Sequence, residues 1–160
     1  MPEKSVLFVC LGNICRSPAA EGIFRSCLAE RGLAGVVKVD SAGTIDQHAG
    51  ERADPRMRDA ASARGYELGS RARRVRPEDF ERFDLIVAMD RSNRDDLERL
   101  AERANGDAFG KLRLLSEFLP AGSPTDVPDP YWGGPRGFDD VLDLLEEACP
   151  VILDELVGEE

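Results

Sequence analysis

One segment near the amino end of the chain carries side chains suited to covalent chemistry on an anion. It reads VCLGNICRSP and spans residues 9–18. The Cys10 thiolate is a nucleophile, and the Arg16 guanidinium presents a planar fork of N–H groups that matches two phosphate oxygens. Gly12 and Asn13 can adopt left-handed backbone dihedrals, which turn successive N–H groups inward to form an anion-binding nest. The segment therefore predicts a phosphate loop in which a thiolate faces phosphorus.

The phosphate loop is expected to lie between a buried strand and a helix. Residues 6–9 form a continuous apolar run, which is typical of a strand buried on both faces of a sheet. Ser17-Pro18 predicts the start of a helix, whose N-terminus adds about half a positive charge. The same positive field stabilises a thiolate, and the Ser17 hydroxyl can donate a hydrogen bond to the sulfur. The residues expected to bind phosphate are Leu11, Gly12, Asn13, Ile14, Cys15, Arg16 and Ser17.

Apolar runs alternate with helical patterns along the rest of the chain. Further strands are predicted at residues 36–39, 85–88 and 112–115, and further helices at residues 55–64 and 92–104. Residues 120–137, rich in Pro, Gly and Asp, predict a long loop, and Pro150 predicts a kink or break in the last helix. This order predicts an α/β fold: a single doubly wound domain over residues 1–160, with a four-stranded parallel sheet and helices on both faces. Ligands of such folds bind at the carboxyl ends of the strands, where the phosphate loop lies.

Composition and charge exclude several classes of function. The chain has 160 residues, a formal net charge of −10 and one histidine, His48. An acidic chain is not expected to bind nucleic acid non-specifically, and no apolar run approaches the ~20 residues that span a bilayer. A single histidine rules out a histidine-rich metal site. We expect neither a metal nor a cofactor. Four scattered cysteines favour a reducing, cytoplasmic location over a secreted disulfide scaffold.

The charges are unevenly distributed along the chain. Residues 52–76 carry eight arginines and three acids, whereas residues 139–160 carry nine acids and no base. Two solvated faces of opposite sign explain this pattern. The alternative is a local positive field that steers an anionic substrate.

Residues 4–18, KSVLFVCLGNICRSP, closely resemble the corresponding segment of the low-molecular-weight protein tyrosine phosphatases. The resemblance continues through DSAGT (40–44), DLIVAMDRSN (84–93) and DPYW (129–132), in the order of that family. It implies a metal-independent enzyme that hydrolyses phosphotyrosine in protein substrates through a cysteinyl-phosphate intermediate, acting as a monomer or weak dimer. The family's nucleophile, loop arginine and loop hydroxyl correspond to Cys10, Arg16 and Ser17.

The resemblance also implies roles for residues outside the loop sequence and for the loop asparagine. Asp129 corresponds to the general acid, which the chemistry needs because a phenolate leaving phosphorus must be protonated. Asn13 and Ser41 correspond to the residues that hold the shape of the loop. Tyr131 and Trp132 are expected to wall the substrate cleft and to contact an aryl ring.

Five positions also have a plainer structural interpretation. Asp129 precedes a proline, and Asp-Pro is a common turn pair. The two aromatic residues after it can simply be half-buried. Cys15 corresponds to a family cysteine that pairs reversibly with Cys10 and protects it from over-oxidation, but it is also suited to filling a tight loop. Asp90 follows a predicted strand and either braces the site or caps the next helix.

Two positions depart from the family pattern. Gln47 stands where the family usually has an aromatic residue, so one wall of the substrate cleft is expected to be polar. Ser70 stands where many members carry a histidine, which puts part of the bracing of the loop in doubt.

Four other functions fit the residues of this chain less well. Thioredoxin-coupled arsenate reductases need further cysteines, and this chain has none between residues 28 and 148. Arginine phosphatases carry Thr where this chain has Ile14, and an apolar side chain suits a phenyl ring better than a guanidinium. A non-enzymatic anion-binding module would be expected to lose Cys10 or Asp129. The glycine fingerprint of dinucleotide binding is absent after the first strand.

Overall fold

Four parallel strands form the centre of the molecule, in the order β2-β1-β3-β4. The computed structural model describes residues 4–104, 109–134 and 136–158. The strands are β1 (Lys4–Cys10), β2 (Val37–Gly43), β3 (Leu85–Ala88) and β4 (Leu112–Leu114). The sheet confirms the predicted topology, because β1 is central and its apolar residues from Val6 to Val9 are fully buried.

Helices cover both faces of this sheet, as the sequence predicts. They are α1 (Arg16–Glu30), α2 (Pro55–Ser62), α3 (Asp79–Arg82), α4 (Arg91–Ala101) and α5 (Arg136–Val157). Val6 and Phe8 point to one face, where α1, α2 and α5 complete the core. Leu7 and Val9 point to the other face, where α3 and α4 pack. The period-two alternation of a strand thus divides one apolar run between two cores.

The segments around β4 and before α5 contain short 3₁₀ turns. These turns span Phe109–Lys111, Leu115–Phe118 and Pro130–Trp132. The predicted loop at 120–137 is therefore shorter than expected, because a turn forms at Pro130 and α5 begins at Arg136. No helix in the described part of the chain has the length and apolarity needed to cross a bilayer.

The helices differ from the sequence prediction in two places. Pro150 does not break the last helix, since α5 continues to Val157. The proline removes one backbone hydrogen bond, but its neighbours Cys149 and Ile152 are fully buried, so packing holds both halves of the helix in place. The single turn α3 was not predicted, because four residues are too few to show a helical period.

The carboxyl ends of the strands fix the position of the segment after β1. Cys10 pairs with Gly43 in the register of β1 and β2. The Thr44 N–H donates to the Cys10 carbonyl at 3.0 Å, and the Ile45 N–H donates to the Leu11 carbonyl at 3.1 Å. A Cβ atom at Gly43 would lie 2.6 Å from the Leu11 carbonyl oxygen. Glycine is needed here because the backbone of the loop passes directly over β2.

Candidate active site

The loop from Cys10 to Ser17 joins β1 to α1 at the carboxyl edge of the sheet. Asn13 adopts a left-handed backbone conformation with φ of 59°. Gly12 does not, contrary to expectation; its lack of a side chain instead makes room for His48, whose Cδ2 would lie 3.1 Å from a Cβ atom at Gly12. Asn13 thus reverses the direction of the loop, and Gly12 leaves room for the His48 side chain. It ends at the N-terminus of α1, which favours an anion.

Cys10 lies at the base of the loop and is 3% exposed. Its Sγ is 3.0 Å from the Ser17 Oγ. The Ser17 oxygen already accepts a hydrogen bond from Asn13 Nδ2 at 2.8 Å. The Ser17 hydroxyl hydrogen has two acceptors within reach, the Cys10 sulfur at 3.0 Å and the Ala42 carbonyl at 3.4 Å. The shorter contact, to the sulfur, is the one that would stabilise a thiolate.

The Asn13 side chain joins three segments that are distant in sequence. Its Nδ2 also donates to Ser41 Oγ at 3.0 Å, and its Oδ1 accepts from the Arg73 N–H at 3.0 Å. The two loop-support residues of the sequence analysis, Asn13 and Ser41, are therefore in direct contact. The bond from the backbone of Arg73 braces the loop without the histidine that Ser70 replaces.

Glu21 extends this network and was not predicted. It is buried on α1, where its Oε1 accepts from Ser41 Oγ at 2.7 Å and its Oε2 accepts from Arg25 at 2.7 Å. A single glutamate on a predicted helix carries no signal of this role. The result is a chain of polar contacts that runs from Glu21 through Ser41, Asn13 and Ser17 to the Cys10 sulfur.

Arg16 is the largest fully buried side chain in the described residues, at 2% exposed. Its Nη1 donates to Asp90 Oδ2 at 2.7 Å and to the Val127 carbonyl at 2.9 Å. Its Nη2 lies 3.6 Å from Asp129 Oδ2. Burial alone would lower the pKa of the guanidinium, but the charge of Cys10 and the hydrogen bond to Asp90 raise that pKa overall. Arg16 is therefore a fixed cation beside Cys10.

Asp90 performs both functions that the sequence left open. Its Oδ2 braces Arg16, while its Oδ1 accepts from the Asn93 N–H at 2.7 Å and caps the N-terminus of α4. The cap holds the Asp90 carboxylate in place just after β3. One side chain therefore both positions Arg16 and begins α4.

Asp129 likewise forms a turn and faces the cleft. Its Oδ1 accepts from the Tyr131 N–H at 3.0 Å, which closes the turn at the start of the 3₁₀ segment. The other oxygen faces Arg16, and the side chain is 26% exposed. The carboxyl group lines the same cleft as Cys10, as the proposed general acid must.

The cleft has mixed apolar and polar walls. Gln47 lines it at the position where a polar wall was expected, and Tyr131 lines it as well. His48 also lines the cleft and was missed; its ring centroid is 6.2 Å from that of Tyr131. The backbone of Trp132 is described, but its side chain lies outside the described part of the structure, so its place in the cleft stays a prediction. The lining residues are Cys10, Leu11, Gly12, Ile14, Cys15, Arg16, Ile45, Gln47, His48, Asp129 and Tyr131.

Arg56 connects the phosphate loop to the segment that carries Asp129, and it too was missed. Its guanidinium lies 5.3 Å from the ring centroid of Tyr131 and pairs with Asp54 at 2.8 Å. The hydrogen bonds from Arg56 lower the pKa of Asp54, and the Asp54 N–H donates to the Ile14 carbonyl at 2.8 Å. The sequence gives no sign of this role beyond the position of Arg56 among the eight arginines of residues 52–76.

Cys15 is buried in the loop, and its thiol is close enough to Cys10 to respond to its charge. Burial raises the pKa of Cys15 strongly, and the charges of Asp54 and Cys10 raise it further. The raised pKa favours the protonated thiol of Cys15 beside Cys10. Among the described residues no group of three or more His, Cys, Asp or Glu side chains is arranged to hold a metal ion.

Comparison with known proteins identifies close relatives over nearly the whole chain. The model of the low molecular weight phosphotyrosine protein phosphatase family matches residues 5–160. A low molecular weight protein-tyrosine-phosphatase of Streptomyces coelicolor is 45% identical, covering 92% of this chain and 90% of its own. The crystal structure of a protein tyrosine phosphatase from Entamoeba histolytica has a TM-score of 0.90 at 41% identity, over 97% of both chains. A Drosophila arginine phosphatase has a TM-score of 0.89 at 31% identity, over 97% of this chain and 99% of its own.

The side-chain hydrogen bonds of Asn13 and its positive φ are expected to contribute separately to phosphate binding, and two variants distinguish them. Asn13→Ala removes the side-chain hydrogen bonds and places alanine at a positive φ, whereas Asn13→Gly removes only the bonds. Losing buried hydrogen bonds costs about 1–3 kcal/mol, so we expect inorganic phosphate to bind ~10- to 100-fold more weakly to the alanine variant. The glycine variant should bind more tightly than the alanine variant. Titration calorimetry measures both, and wild-type affinity in the alanine variant would contradict this account.

Proposed function

Because this chain belongs to the low molecular weight phosphotyrosine protein phosphatase family, we propose that Cys10, Arg16 and Asp129 carry out phosphotyrosine hydrolysis in it. The enzyme hydrolyses phosphotyrosine in proteins through a cysteinyl-phosphate intermediate. The observation that supports these three assignments is their convergence: a buried thiol hydrogen-bonded to Ser17, a buried guanidinium and a carboxyl group line one cleft.

In the first step the Cys10 thiolate attacks phosphorus, and the bond from phosphorus to the phenolic oxygen breaks. Asp129 donates its proton to that oxygen, so tyrosine leaves as a neutral phenol. Arg16 binds the equatorial oxygens and offsets the charge that they carry in the transition state. The Asn13 side chain and Ser41 act on the reaction by holding the loop.

In the second step water attacks the phosphocysteine. The Asp129 carboxylate accepts a proton from the water, the sulfur–phosphorus bond breaks, and inorganic phosphate is released. The departing sulfur regains its negative charge, which the Ser17 hydroxyl at 3.0 Å stabilises. One proton thus leaves Asp129 in the first step and returns to it in the second.

The walls of the cleft support an aryl substrate. Ile14, Ile45 and Tyr131 supply apolar surface for a phenyl ring, and Trp132 is proposed to add to it. Gln47 and His48 supply the polar side. An arginine phosphatase is the nearest alternative, and Ile14 in place of Thr argues against it.

We also propose that residues 1–160 form one domain, located in the cytoplasm and acting as a monomer or weak dimer without nucleic acid. All four cysteines are free thiols, as expected in a reducing compartment. The exposed large apolar side chains of the described residues are far apart in sequence: Leu11 in the phosphate loop, Val36 just before β2 and Val151 on α5. A net charge of −10 opposes binding to nucleic acid.

The nucleophile is tested with Cys10→Ser. Turnover of para-nitrophenyl phosphate and phosphotyrosine peptides should be abolished, because a serine hydroxyl is not ionised here. Phosphate binding should persist, since the loop and Arg16 are unchanged. Cys27→Ser, which replaces a half-buried thiol on α1, is the matched control and should retain activity. A chelator should have no effect; loss of activity with EDTA or turnover by Cys10→Ser would contradict the assignment.

The general acid is tested with Asp129→Ala across a series of aryl phosphates. General acid catalysis contributes ~10²–10⁴-fold, most when the leaving oxygen is basic. We therefore expect kcat for phosphotyrosine to fall much more than kcat for substrates whose leaving groups are already acidic. Asp129→Asn preserves the turn and should show the same dependence. An equal loss for all leaving groups would indicate a structural role.

Cys15 is proposed to protect the nucleophile from oxidation. Peroxide converts the Cys10 thiolate to a sulfenic acid, and attack by the Cys15 sulfur forms a disulfide and releases water. Mild peroxide should therefore inactivate the wild type reversibly, with activity restored by dithiothreitol. Cys15→Ser should lose activity irreversibly, while the Cys27→Ser control behaves like the wild type. Full recovery of the Cys15 variant would exclude the protective disulfide.

A further inference from the structure

A second groove adjoins the substrate cleft on the face of the sheet covered by α3 and α4. It lies between the segment before α3 and the outer side of α4. Four of the residues that line it are arginines, and only one is acidic. The lining residues are Thr44, Ile45, Arg74, Val75, Arg76, Pro77, Asp96, Arg99, Leu100 and Arg103.

The arginines of this groove are positioned for a ligand more than for the fold. All four are exposed. Arg99 pairs with Asp96, but Arg74, Arg76 and Arg103 form no ion pair within the described part of the chain. Exposed cations held close together repel one another, so their accumulation around one groove creates a local site for an anion in a chain of net charge −10.

The groove and the catalytic cleft meet at the segment that follows β2. Ile45 lines both the cleft and the groove. Thr44 lines the groove, and its N–H donates to the carbonyl of Cys10, the nucleophile. A substrate segment that leaves the cleft over Ile45 therefore enters the groove directly.

We propose that this arginine groove binds an anionic side chain, a carboxylate or a second phosphate, of the same protein segment that carries the phosphotyrosine. This inference rests on the proposed function, because it extends the substrate beyond the residue that is hydrolysed. Arginine forms bidentate contacts with both anions, and phosphate carries the larger charge. The groove would make the enzyme prefer phosphotyrosine in an acidic or multiply phosphorylated sequence.

The test compares kcat/KM for phosphotyrosine peptides with different flanks. One peptide has neutral flanks, two carry three glutamates before or after the phosphotyrosine, and two carry a single phosphoserine on either side. The wild type should favour at least one acidic or phosphoserine peptide over the neutral one. The glutamate and phosphoserine peptides distinguish the two possible anions.

The groove is removed with the double variant Arg74→Gln/Arg103→Gln. Its matched control is Lys38→Gln/Arg82→Gln, which removes two exposed positive charges without an ion pair among the described residues, beside Ser5 at the opposite edge of the sheet. Each exposed ion pair contributes up to ~1 kcal/mol, so the groove variant should lose about three- to tenfold in kcat/KM for the preferred peptide. It should turn over the neutral peptide and para-nitrophenyl phosphate like the wild type. The difference should shrink at high salt.

Each outcome decides one question. Unchanged preference in the groove variant, or an equal loss in the control, would overturn the groove as a substrate site. Loss of binding to vesicles of anionic lipid with unchanged peptide preference would assign the groove to a membrane surface and also overturn the proposal. No turnover of any peptide or of para-nitrophenyl phosphate by the wild type would instead refute the proposed function.

Discussion

The buried guanidinium of Arg16 is the constraint on which the rest of the site depends. Taking a charge out of water costs several kcal/mol unless it is paired and hydrogen-bonded. Here the partners come from two separate segments: Asp90 at the start of α4, and the Val127 carbonyl and Asp129 in the irregular segment before α5. The start of α1, the start of α4 and the irregular segment before α5 must therefore meet at one point.

Val127 explains how a segment without regular structure can position an acid. It is 1% exposed, its N–H donates to the Met89 carbonyl at 3.0 Å, and its own carbonyl accepts from Arg16. The backbone is thus tied to the sheet on one side and to the phosphate loop on the other. Asp129 follows two residues later and closes its own turn. Asp129 is therefore placed by the same cation, Arg16, that is proposed to bind the substrate phosphate.

Features of the fold and site that depend on neighbouring residues could be predicted from the sequence, whereas those that depend on distant pairs could not. The apolar run of β1 and the turn at Asn13 are local, and they predicted the sheet and the loop. The contact between Glu21 and Ser41 and the one between Arg16 and Val127 join separate elements, and no spacing in the chain signals them. The same reason explains Pro150: its local preference predicted a break, and tertiary packing overrode it.

Long-range ion pairs show which arginines of residues 52–76 stabilise the fold and which are free to create a local positive field. Arg64 pairs with Asp143 and other acids of α5, and Arg73 pairs with Asp40 and Asp79, so these arginines stabilise the fold. Arg74 and Arg76 have no such partners among the described residues and line the groove beside the cleft. Charges act over only about 8–10 Å at physiological salt, so the arginines near the cleft influence an incoming phosphoprotein more than the net charge does. The acids of α5 lie on the other face of the sheet, which allows an acidic protein to present a positive surface to an anionic substrate.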